Sequence, residues 1–208
     1  MSAKQTGART SRLEQELNAA RRVSEALWRH VHVEDLVEEA LNTALQVVGA
    51  EAGAVLLHDP HQGRLVFRHV MGGKASLLKD TAIPANQGIA GEVFTTGNPY
   101  LTPDAGTDRH HLKGVDDKTG YRTKDMIAVP LKRWEGQPIG VLEVLNKQDG
   151  RLSEEDLGIL TIIAALTAAA VEQARLFEET KLAQMVRLLA EISHDVSNLL
   201  TPVLSGLG

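Results

Sequence analysis

The feature that most restricts this chain is a helical pattern that opens at Ser153 and runs without interruption from Glu154 to beyond Ile192. Ser153, with Asp156 at the third helical position, supplies side-chain oxygens for amide hydrogens that a first turn leaves unpaired. Leu157, Leu160, Ala164, Thr167, Val171 and Ala174 follow at alternating steps of three and four, one seven-residue phase. Leu182, Met185, Leu189, Ile192, Val196, Leu199 and Val203 keep a second phase. The step from Val171 to Leu182 is eleven residues, a slip of four that locally unwinds a coil. A hinge or register switch is expected at residues 175–181. A homodimer through this helix and an N-terminal one is expected, because the narrow strip from Leu13 to Val31 cannot be buried alone and either pairs with its copy or packs on this chain's own C-terminal helix.

Near the far end of this helix lies Ile192-Ser193-His194-Asp195-Val196-Ser197-Asn198-Leu199-Leu200-Thr201-Pro202. Positions 189, 192, 196, 199 and 203 form the apolar stripe, and His194 falls off it. Asn198 is one turn ahead on the same face, and Asp195 is beside the histidine. An outward imidazole next to a carboxylate that takes its proton is what nucleophilic attack on a phosphoryl donor requires. Pro202 removes a helical hydrogen bond and presses on the carbonyl of Asn198, a defect of about 3 kcal/mol, so a kink is expected. The run resembles the phosphoacceptor box of sensor histidine kinases: a small residue, His, an acid, two variable positions, Asn or Thr, and a Pro shortly after. Ser193, His194, Asp195, Asn198 and Pro202 match one by one, with Pro202 later than in the commonest form. The resemblance implies that His194 is the phosphoacceptor and Asp195 its acid/base partner. It puts Asn198 where such proteins position water for dephosphorylating the response regulator. A solvated histidine on a coiled-coil surface is the plainer reading of the same residue.

Composition sets the remaining bounds. With 208 residues, 43% of them hydrophobic, the chain has room for one domain with extensions and can bury a core. Net charge is −5 with signs interspersed, which does not invite a nucleic-acid backbone. The absence of cysteine excludes disulfides, thiolate metal sites and thioether-linked chromophores, and agrees with a cytoplasmic location. No apolar run approaches the eighteen or so residues of a membrane span, and residues 1–12 lack the apolar centre of a signal peptide, so no membrane is expected.

In chain order, residues 1–10 read as a loose end and Ser11 with Glu14 as a capping box. Leu13, Leu17, Ala20, Ser24, Leu27 and Val31 then form a coiled-coil seam, giving a signalling helix over residues 11–32. Leu36, Val37, Ala40, Leu41, Ala44, Val47 and Val48 widen this to the face of a helix packed on a sheet, ended by a left-handed cap at Gly49. Two hairpins follow, Ala52 to His58 with Leu65 to Met71, and Met126 to Trp134 with Ile139 to Asn146. Continuous apolar character at Val141, Leu142, Val144 and Leu145 predicts a central strand. Residues 74–124 read as loop-rich, with a short helix at about Gly88 to Thr96 and a small strand near Tyr100.

Helix, hairpin, long variable segment, hairpin and long helix describe an α+β fold: an antiparallel sheet covered on one side by helices, with a pocket on the other. The residues of this region resemble the GAF family of small-molecule sensing domains. The carriers are Ile83-Pro84, Gly88-Ile89-Ala90-Gly91-Glu92-Val93, Gly97-Asn98-Pro99-Tyr100, Val129-Pro130-Leu131, Ile139-Gly140-Val141-Leu142, Asn146-Lys147 and Ser153-Glu154-Glu155-Asp156-Leu157. The resemblance implies a GAF-like domain over residues 33–176, with residues 177–208 as the start of a dimerisation and phosphoacceptor helix.

The family's cyclic-nucleotide-binding members carry Asn-Lys, a spacer, Phe, three residues and Asp-Glu. Here Asn146, Lys147 and Asp156 match, while Leu152 replaces the Phe and Leu157 the Glu. A cyclic nucleotide is therefore one candidate ligand, and strand-ending and helix-capping roles explain the same three residues. Branches that depend on cysteine drop out. Haem through His58, His61, His69, His110 or His111 is weighed against surface histidines, with His61 in a turn and His110 and His111 in a polar loop. No metal site is expected. For a ligand lid the candidates are Asp104, Asp108, Arg109, Arg122, Thr123 and Lys124, whose mixed charges suit a small polar or phosphate-bearing molecule.

The function expected is the sensory and dimerisation region of a cytoplasmic two-component histidine kinase, in which the GAF-like domain controls phosphorylation at His194. Its expected partners are a second copy, a kinase ATP-binding domain and a response-regulator receiver domain. No ATP-binding domain resembles any part of the sequence, so the chain is expected to be inactive alone and to be a truncated form. The alternative is a non-catalytic ligand-binding dimer with a connector helix.

Overall fold

Helix α1 (Val33–Val48) turns Val33, Leu36, Val37, Ala40, Leu41, Ala44 and Val48 into the core. It ends as expected at Gly49, whose φ of 67° and ψ of 48° let its N–H reach back to Leu45 O. The computed structural model describes residues 32–73, 77–133 and 136–205, and the side chains of these as far as Arg187, with Lys113, Asp117 and Lys118 excepted. The seam expected over residues 11–32 lies, but for its last residue, outside the described residues.

Strands β1 (Ala50–Asp59) and β2 (Arg64–Met71) form the first hairpin, with Asp59 opposite Arg64. The turn closes through Gly63 N–H to Asp59 O at 2.9 Å and His61 N–H to Asp59 Oδ1 at 2.9 Å. Strands β3 (Ala82–Pro84) and β4 (Tyr100–Thr102) are short edges. Strands β5 (Met126–Leu131) and β6 (Gly140–Lys147) form the second hairpin. All six strands make one antiparallel sheet of order β3-β2-β1-β6-β5-β4. β6 is the central strand its apolar run predicts. β5 stops short of the expected Trp134 because Lys132 N–H turns back to Pro130 O at 3.1 Å; Trp134 itself lies outside the described residues.

Both faces of the sheet are covered. On one face Ala54, Leu56, Leu65, Phe67, Met126, Ala128 and Val141 pack with α2 (Gly88–Thr96) through Ile89, Ala90 and Val93. On the other, α1 comes so close that a Cβ added to Gly53 would fall 2.9 Å from Leu41 Cδ1. Burial of such side chains, at roughly 1.5–3 kcal/mol for each large one, supplies the driving force for folding.

The long connection holds two elements the sequence reading leaves as loop, β3 and the helix α3 (Lys113–Thr119). α3 has too few turns for a period to show. It closes on Thr119, whose hydroxyl donates to Val115 O at 2.9 Å, and on a left-handed Gly120.

Helix α4 runs from Glu154 to Ser205, helical across residues 175–181 and through Pro202. Ser153 and Asp156 open it as expected, the Ser153 N–H and hydroxyl donating to Asp156 Oδ2 at 2.9 and 2.8 Å. Against the expectation that no apolar run approaches a span, part of α4 reaches a mean hydropathy of 1.7 over eighteen residues, long and apolar enough to cross a membrane by length and composition. Half of that window is buried in the protein, with Ile159, Leu160, Ile163, Ala164, Ala168 and Val171 in the core. The chain divides into two compact units at Val171. In the second unit Leu176, Phe177, Leu182, Met185 and Val186 are 53–64% exposed.

Candidate functional site

A cavity of about 100 Å³ opens on the sheet face that carries α2. Its floor is Ala54, Phe67, Val70, Met126, Glu143 and Leu145, set by the alternation of β1, β2, β5 and β6. Gly88, Ile89 and Ala90 at the start of α2 form one wall. Leu78, Ile83 and the segment His111 to Thr123 close the rest. Gly88 has a φ of 75°, and a Cβ there would lie 2.6 Å from Leu112 Cδ1, so this wall closes only on a residue without a side chain.

Most polar groups in the wall are engaged with one another. Asp116 accepts from the Thr123 hydroxyl at 2.9 Å and from Thr123 N–H at 3.0 Å, and lies 3.2 Å from His111 Nε2. The Tyr121 hydroxyl donates to Glu51 Oε2 at 3.3 Å and accepts from Asn146 Nδ2 at 3.0 Å. Burial, and then the charge of Glu51, pushes the Tyr121 phenol up to about 12. Thr119 accepts from Tyr121 N–H at 3.2 Å.

Glu143 differs. It is 8% exposed, sits between Val141 and Leu145 on the cavity face, and among the described residues no hydrogen bond or ion pair reaches its carboxyl group. Burial alone raises its pKa to about 8. The sequence reading passes over this residue. Its signal is an acid inside an otherwise continuous apolar run, Val141-Leu142-Glu143-Val144-Leu145.

Of the expected lid residues Thr123 lines the cavity. Asp104, Arg109, Arg122 and Lys124 are exposed and stand outside its wall. Asp108 bonds the Tyr100 hydroxyl at 3.0 Å, and Arg109 Nε donates to His110 Nε2 at 2.8 Å. The Asn-Lys and Asp of the nucleotide-type motif serve the fold. Asn146, at a φ of 56°, accepts from Lys124 N–H at 2.7 Å and donates to Arg122 O at 3.0 Å, pinning the segment that bears Thr123. Lys147 Nζ meets both carboxylate oxygens of Asp156 at 2.7 Å, joining β6 to α4. None of the three lines the cavity.

His58 packs on Phe94 with ring centroids 4.7 Å apart, and His110 stacks on Tyr100 at 5.8 Å. No group of three or more metal-binding side chains occurs among the described residues. His194, Asp195 and Asn198 fall on α4. Their side chains lie outside the described residues.

A six-stranded antiparallel sheet with helices on both faces and a small cavity on one of them defines a sensory α+β domain. The GAF domain family model matches residues 30–172, and the chain belongs to that family, whose domains occur in signalling proteins. It is 36% identical over 96 residues to the dual 3',5'-cyclic-AMP and -GMP phosphodiesterase 11 of Drosophila melanogaster, covering 46% of this chain and 7% of that protein. Among solved structures it is similar to the GAF domain of a phosphoenolpyruvate-protein phosphotransferase from Coxiella burnetii, with a TM-score of 0.70 and 17% identity over 80% of this chain and 98% of that one. A methyl-accepting chemotaxis protein matches with a TM-score of 0.65 and 21% identity, covering 74% of this chain and 98% of that one. These two structures bear on the fold alone. The chain spans 7–25% of the length of three curated relatives it matches.

Proposed function

We propose that this chain is the sensory and dimerisation region of a cytoplasmic two-component histidine kinase. A small molecule bound in the GAF-domain cavity biases the state of α4, and α4 presents His194 for phosphorylation. A kinase ATP-binding domain supplies the phosphate and a response-regulator receiver domain takes it. The observation that carries this reading is the continuity of α4: one helix begins at the Asp156 cap tied to β6 and contains position 194. Asp195 acts as the acid/base partner, and Asn198 holds the water used in dephosphorylation. The test is to incubate the chain with ATP and a histidine-kinase ATP-binding domain. Acid-labile phosphate should form on wild type and vanish in His194→Gln, and an unlabelled wild type defeats the proposal.

The relatives named as cyclic-nucleotide phosphodiesterases support a second reading, a non-catalytic ligand-binding dimer in which α4 is a connector. For a cyclic nucleotide as the ligand, two observations weigh against it. Among the described side chains no Arg or Lys lines the cavity, and its volume is well below the roughly 300–1,000 Å³ of drug-sized sites.

A further inference from the structure

Glu143 is the one polar wall group named above whose hydrogen-bonding capacity the described residues leave unused. A buried carboxyl with no partner costs stability, and such a group calls for an explanation outside the fold's own packing. Glu143 as a whole is 8% exposed, and it lines the cavity. The side chains around it, Phe67, Met126, Val115 and Leu145 among them, are mostly apolar, and the other wall acid, Asp116, is occupied by Thr123 and His111. Among the described side chains the wall therefore has two carboxyl groups and no basic group apart from the paired His111.

The volume bounds the guest. An apolar cavity of about 150 Å³ holds a benzene ring. At about 100 Å³ this one holds a short branched chain or a small ring with a single polar head. Resting on the sensory reading given above, we infer that the cavity takes a compact, largely hydrocarbon amine whose protonated nitrogen donates to the Glu143 carboxylate. The ligand's charge then replaces the water that Glu143 loses on folding, and its hydrocarbon body fills the space over Phe67 and Met126.

Isobutylamine and isobutyrate have the same carbon skeleton and opposite charge, which makes them suitable probes. Each is titrated into the full chain at pH 7 and pH 9 while the amide signals of Glu143 and its neighbours are followed by NMR. With the carboxyl titrating at about 8, ionised Glu143 rises roughly tenfold between these values, and isobutylamine affinity should rise about as much. In Glu143→Gln that pH dependence should disappear, with affinity at pH 9 at least tenfold weaker. His111, Asp116 and Tyr121 are the same in wild type and variant, so whatever they contribute cancels in the difference between the two. Isobutyrate binding as tightly as the amine at pH 9 overturns the proposal without recourse to any variant, as does an amine affinity that ignores pH in wild type. His194 labelling is measured separately, so the amine site and the phosphotransfer reading stand or fall on different signals.

Discussion

Glu143 keeps its proton to a pH at which an ordinary carboxyl, near 4.5, has long lost it. Because burial raises the folded-state value, the unfolded chain releases the proton first as pH climbs. Stability contributed through this group is full below about 4.5 and is lost between about 4.5 and about 8, at roughly 1.4 kcal/mol per pH unit. The total is on the order of 5 kcal/mol. Urea unfolding of wild type should therefore weaken from pH 5 to pH 8 and level off at pH 9. Glu143→Gln should show a flatter profile and exceed wild type at pH 9, and parallel profiles for the two proteins would remove Glu143 as the cause. Residue-level legibility was uneven. Ser153, Asp156 and Gly49 were readable because capping chemistry is local. Glu143 was not, because an acid among apolar residues acquires its meaning only when neighbouring strands and α2 enclose it.

Among the elements, β6 has the most consequential position. It pairs on both sides, places Glu143 under the cavity, and ends in Asn146 and Lys147, which reach the Thr123 segment and α4. Asp156 joins the Lys147 ammonium to the Ser153 cap at 5% exposure. Asp156→Ala leaves a partly buried ammonium unpaired and a helix start without its acceptor, and should cost about 3 kcal/mol. A shift in the urea midpoint equivalent to less than 1 kcal/mol would mean the pair is a surface contact only. The hairpins, α1 and α2 were legible as periodicities of two and 3.6. β3 and α3 were not: three and seven residues carry no period, and they form because β2 offers an open edge and Thr119 and Gly120 close a turn.

For the whole molecule, the second unit exposes Leu176, Phe177, Leu182, Met185 and Val186 among the described residues. If a second copy covers these side chains, as the proposed dimer requires, association gains roughly 25 cal/mol per Å² of apolar surface removed from water. Light scattering should give twice the monomer mass of 22.5 kDa for wild type. The double variant Leu182→Glu, Met185→Glu should move the population toward monomer, with the thermal transition of the first unit unchanged. A monomeric wild type at about 100 µM, well above the Kd expected of a stable coil, would rule this interface out.

By itself the sequence determined the α+β class, the two hairpins, the central β6 and the long helix with its caps. Each of these follows from side-chain spacing along the chain or from residues a few positions apart. Only the tertiary structure decided where the cavity lies and which groups face it. It moved Asp104, Arg109, Arg122 and Lys124 out to solvent, kept Thr123 in the wall, spent Asn146 and Lys147 on the fold, and left Glu143 facing the cavity. Those outcomes depend on contacts between residues far apart in the chain, as between Asn146 and Glu51 at 3.4 Å, which no local pattern encodes.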